Sequence, residues 1–179
     1  MNKKKLKVLS VVIAFALCFP LHFLYDKFPN FITSIFAPVN ESIWEHMKIL
    51  FGSIILSGVI QKIIILVKKE NVNNICFSNF IGALTSIPIF LIMFLPIYYT
   101  IGENMFVAIT IMLITIIIAE IISYKIMNKQ NLNLEKATIV FVIAVYIIFT
   151  TLTYYPIKNN IFMDPKTKSY GIPQETKND

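Results

Sequence analysis

Residues Met105–Met127 read MFVAITIMLITIIIAEIISYKIM, a run whose only charged members are Glu120 and Lys125. At a helical rise of 1.5 Å per residue the run is about 34 Å long, enough to cross a hydrocarbon core of roughly 30 Å. Lipid offers no water to backbone N–H and C=O groups, so such a run must satisfy them internally and is therefore helical. Four more runs meet the same criterion, at about 6–24, 47–67, 77–99 and 137–155. Together the five predict an all-α integral membrane protein: a five-transmembrane-helix bundle over residues 1–155 and a short extracytoplasmic C-terminal tail, 156–179.

Composition agrees with that class. Of 179 residues, 56% are hydrophobic and 15% charged, against about 25% charged in soluble domains, which excludes a soluble enzyme, a disordered chain and a fibrous repeat. The net charge of +6 comes from Lys alone, with no Arg, so no nucleic-acid partner is expected. Cys18 and Cys76 fall at opposite ends of the bundle, which excludes a disulfide between them. Lys3, Lys4 and Lys5 precede the first apolar run as they would in a secretory signal, but the run continues through Leu24 without a polar break and reads as a retained span.

Lysine placement orients the spans. With the N-terminus cytoplasmic, Lys3, Lys4, Lys5, Lys7, Lys68, Lys69, Lys125, Lys129 and Lys136 lie inside, and Lys27 and Lys48 outside, as the positive-inside rule requires. Five spans then place the tail outside, although it carries Lys158, Lys166, Lys168 and Lys177. The expectation is N-in, C-out, in the plasma membrane, with the lipid bilayer and a membrane-protein partner as the natural contacts.

Polar residues gather in the longest connection, Tyr25 to His46. Asn40 followed by Glu41 reads as a helix N-cap with an acidic first turn, and Trp44 as an interfacial anchor. On the first span Ser10, Ala14, Cys18, His22 and Asp26 form a row at four-residue spacing. On the second, His46, Ser53 and Ser57 share one stripe beside Gly58 and should pack closely on a neighbour. The bland reading of these rows is packing, with the polar tips wetted at the boundary. The sharper one gathers His22, Asp26, Asn40, Glu41, Glu45 and His46 into a polar pocket at the outer mouth. There His22, His46 and Asp26 have the ligand types for a zinc ion with an open position for water, and a metal-free acid/base pair is equally allowed.

Glu120 is the costliest residue in the spans, and Lys62 with Gln61 lies at similar depth on the second span, so the two charges are expected to form an intramembrane pair. A structural role is favoured over a proton relay, because further ionisable residues at mid-depth are lacking. Gly82 and Ser86 form a small-xxx-small contact, and Pro88 and Pro96 should bend the third span. In the tail, Asp164-Pro165-Lys166-Thr167 is a turn signal, Tyr170-Gly171-Ile172-Pro173 is a second apolar patch that should fold back over the mouth, and disorder is expected from Gln174.

The stretches His22–Tyr25, Pro38-Val39-Asn40-Glu41-Ser42-Ile43-Trp44-Glu45-His46-Met47-Lys48, Asp164–Thr167 and Tyr170–Pro173 resemble a family of small, uncharacterised bacterial multi-pass membrane proteins. Lys168 stands where that family's pattern has Gly, which works against a tight turn there. The resemblance implies no activity. No serine-nucleophile elbow, P-loop or dinucleotide fingerprint is present, and five spans with no later histidine separate the chain from seven-helix membrane metallohydrolases. The first functional expectation is a non-enzymatic ligand-, ion- or partner-binding protein of accessory or immunity type. The alternative is a metal-dependent membrane hydrolase using His22, His46 and nearby carboxylates.

Overall fold

The computed structural model describes residues 2–102 and 104–172. Its helices are α1 (Lys3–Lys27), α2 (Phe31–Phe36), α3 (Ile43–Val67), α4 (Ile75–Ile101), α5 (Met105–Met127) and α6 (Glu135–Tyr154). All except α2 are long and apolar enough to cross a membrane. α2 lies inside the long connection expected as a loop; its capping box, Asn30 with Thr33, satisfies orphan amides at the start of a six-residue helix.

α3 is the central helix, packed on both α1 and α4, while α5 closes the bundle against α4 and α1. The small residues decide these approaches. On α3 the row Ser53, Ser57 and Gly58 faces neighbours: Cys18 contacts the Ser53 hydroxyl at 3.4 Å, and Ser57 donates to the Ser10 carbonyl at 3.1 Å. A Cβ on Gly58 would stand 2.8 Å from the Asn79 side chain, and one on Gly82 would stand 3.0 Å from the Ala119 carbonyl of α5. α4 runs through Pro88 and Pro96 as a single helix.

The α1–α3–α4–α5 interior is polar near the start of α1. Lys7 Nζ lies 3.0 Å from Glu120, and donates to Asn79 Oδ1 at 2.7 Å and Ser123 Oγ at 2.6 Å. Ser10 donates to Glu120 at 2.6 Å, and Gln61 donates to Ser10 Oγ at 2.6 Å and to Asn79 at 3.1 Å. Lys7 and Glu120 are 5% and 2% exposed, so the charges are withdrawn from lipid and water together. The expected Lys62–Glu120 pair is corrected: Lys62 reaches Glu135 at the start of α6, at 3.4 Å. The two charges share a depth but not a direction, since Lys62 turns toward the lightly packed α6 and Glu120 toward α1. Gln61, one residue away, points into the interior and joins the network.

Candidate functional site

The start of α3 positions the site. Ser42, not Asn40, is its N-cap, accepting from the Glu45 amide at 3.4 Å, a bond worth about 1 kcal/mol. Asn40 instead bends the preceding turn by accepting from Ser42 N at 2.9 Å, and donates to the Gly171 carbonyl at 2.7 Å. Glu41 therefore sits just ahead of the helix with its carboxylate free to swing toward α1.

Glu45 is not part of the mouth, contrary to expectation. It is 1% exposed and binds Lys48 at 2.6 Å, the Thr153 hydroxyl at 2.6 Å and the Val39 amide at 3.2 Å. Lys48 donates onward to the carbonyls of Ser34 and Ala37 at 2.8 and 3.1 Å. A lysine on the carbonyl end of α2 complements the helix dipole, so this pair pins α2 and α6 to α3. Asp26, one turn beyond His22, is exposed and lies outside the cluster of ligand-type side chains.

What does converge is His22, Glu41 and His46, whose ligand atoms all lie within 4.8 Å of one another. Glu41 Oε2 is 3.5 Å from His22 Nε2 and 3.7 Å from His46 Nε2, and the two rings stand edge to face with centroids 5.6 Å apart. Both separations are long for a hydrogen bond. They are close to the roughly 3.4 Å that tetrahedral geometry sets between two ligands each about 2.1 Å from a zinc ion. His46 Nδ1 lies 2.9 Å from the Ser42 carbonyl, a contact that in the neutral ring places the proton on Nδ1 and leaves Nε2 with a lone pair. His22 Nδ1 is buried with no hydrogen-bond partner among the described residues.

The tail completes the site. Lys166 donates to Glu41 Oε1 at 3.0 Å. The His22 imidazole, opposed by burial and assisted by Lys166, holds the Glu41 carboxyl down at about 2. Trp44 receives the tail: its amide donates to the Ile161 carbonyl at 2.9 Å and its ring stacks on Phe162 at 4.7 Å. The expected turn forms, with Asp164 Oδ1 accepting from Lys166 N at 2.8 Å and the Asp164 carbonyl from Lys168 N at 2.9 Å. Lys168 makes it in the left-handed region, φ 58°, where glycine is at ease. Gly171, at φ 70°, sits so close to α6 that a Cβ would meet the Thr153 carbonyl at 2.8 Å. Pro173 and the stretch from Gln174 lie outside the described residues.

Beneath the cluster is a cavity of about 660 Å³ between α1, α4 and α5, lined by Phe15, Phe19, Phe90, Phe94 and Met112 among others, with Lys166 at its rim. Sequence reasoning did not find the cavity, nor Lys166 and Lys7 as partners. Lys7 could have been found, because it shares the helix face of Ser10 one turn earlier.

No curated protein and no solved structure matches the chain. The family model that does match, described as a family of unknown function (DUF6512), spans residues 1–172. By that match over residues 1–172 the chain belongs to the DUF6512 family, a family of unknown function.

Proposed function

We propose that this chain is a bacterial plasma-membrane protein that binds a divalent transition metal, zinc by its donor set, at the outer mouth of a five-helix bundle through His22, Glu41 and His46. The observation that carries the reading is the pair of imidazole nitrogens 3.5 and 3.7 Å from one carboxylate oxygen. Two nitrogens and an oxygen suit zinc, and the Ser42 carbonyl and Lys166 supply the outer contacts that orient ligands in such sites. Asp26, the carboxylate first expected as ligand, is replaced in this reading by Glu41.

The N-in, C-out orientation is part of the proposal. Lys7 and Lys48 are buried in ion pairs and leave the count, which becomes eight lysines inside against one in the outer loops, with the four lysines of the tail also outside. A cysteine at exposed Lys158 should react with an impermeant maleimide in intact cells; reaction only after lysis overturns the orientation.

The test of the site is metal content. Purified full-length protein equilibrated with zinc should retain one ion per chain, His46→Ala should retain almost none, and Asp26→Asn should retain it fully. Protein that stays metal-free, or a His46→Ala variant that loads normally, overturns the reading. A second reading, a metal-dependent hydrolase, is favoured by one feature: three protein ligands leave the fourth position for water, as in catalytic zinc sites. Turnover of an ester or amide that is lost with the metal distinguishes it from a binding protein.

A further inference from the structure

The cavity joins two chemistries that a water-soluble ligand would not use together. Its wall is built from aromatic and thioether side chains of three helices, and at 660 Å³ it lies within the roughly 300–1,000 Å³ of small-molecule pockets. Along α1 it runs from His22 down to Phe15, about 10 Å at 1.5 Å per residue. α1 and α5 are tied together by Lys7, Ser10 and Glu120, whereas in the half nearer the histidines the cavity separates them. Among its lining residues Phe19, Phe23 and Met105 are 46%, 59% and 67% exposed, an apolar surface on two helices of membrane-spanning length. The other end is polar and, with a metal in place, positive: a divalent ion and Lys166 outweigh the carboxylate of Glu41 and that of Asp26, which acts on His22 from one turn away.

Resting on the metal-site reading above, we infer that the ligand of this site is a single-chain membrane amphiphile ending in a phosphate monoester. The chain enters sideways from the bilayer between α1 and α5. A phosphate dianion complements that positive end, and one of its oxygens takes the metal's open position while Lys166 stands at the rim. An apolar tail without that head group forfeits the coordination bond, and inorganic phosphate forfeits burial of the tail.

The experiment uses full-length protein in phosphatidylcholine nanodiscs. Bound metal is counted first, and dodecyl phosphate retained per chain is then read by native mass spectrometry. Wild type loaded with zinc should retain one dodecyl phosphate, at least tenfold more tightly than dodecanol, dodecanoate or inorganic phosphate. Ala108→Trp fills the cavity from α5, a helix that carries none of the three ligands. It should keep the metal and lose the amphiphile. Metal binding without preferential retention of dodecyl phosphate overturns the inference and leaves the metal site standing, as does equal retention by Ala108→Trp. Failure of wild type to bind metal overturns the site reading and the inference with it.

Discussion

Replacing Glu120 by Gln keeps the side chain's shape and removes its charge, which strands the Lys7 ammonium in the bundle interior. At 3.0 Å and an effective dielectric of about 20, the pair attracts by about 5.5 kcal/mol, against a desolvation cost of several kcal/mol for each ion. The pair is thus close to neutral overall, but losing one partner leaves the other's desolvation uncompensated, at about 3–5 kcal/mol. Lys7 keeps its bonds to Asn79 and Ser123, so Glu120→Gln is expected near the lower figure, about 3 kcal/mol, and Lys7→Met similarly. The double variant removes both charges and should lose about 2–3 kcal/mol less than the sum of the single losses. Unfolding equilibria in bicelles measure all three. Lys62→Met is the control: its pair with Glu135 is more than a third exposed on each side, so it should cost at most about 1 kcal/mol and show no coupling to Glu120. Additive losses for Lys7→Met and Glu120→Gln, or coupling between Lys62 and Glu120, would refute the network as drawn.

Three further outcomes are expected. Lys168→Gly relieves a left-handed residue whose strain is about 1–2 kcal/mol; after the extra entropy of an unfolded glycine, thermal unfolding should show a net gain of about 0.5 kcal/mol, and a loss would contradict the turn geometry. Gly58→Ala drives a Cβ into Asn79 at 2.8 Å and should destabilise by about 1–3 kcal/mol through overpacking, whereas unchanged stability would mean that α3 and α4 are not in close contact there. Glu41 titrates at about 2 in the folded chain against an ordinary 4.5, so its stabilising contribution is complete above about pH 4.5 and is lost as pH falls toward 2. The stability gap between wild type and Glu41→Gln, followed by pH titration, should close over that window; a gap that widens on acidification would contradict the assignment.

The sequence alone determined the five membrane-length helices, because the cost of an unsatisfied backbone in lipid makes length and apolarity decisive without reference to neighbours. It also determined that His22 and His46 lie on small-residue faces, since helical periodicity assigns a face to every residue. Which partner each polar group meets depends on helix rotation and on segments distant in the chain. Glu120 meets Lys7 of the first helix and not Lys62 at equal depth, because depth follows from counting along one helix while direction is set by packing between two. Glu45 is drawn inward by Lys48 and Thr153 of the last helix, and Glu41 takes its place beside the histidines because the cap is Ser42 rather than Asn40, which moves the helix start by two residues. The tail's Lys166 reaches Glu41 across 125 positions of sequence, a distance closed only when Trp44 and Phe162 stack and fold the tail onto the bundle.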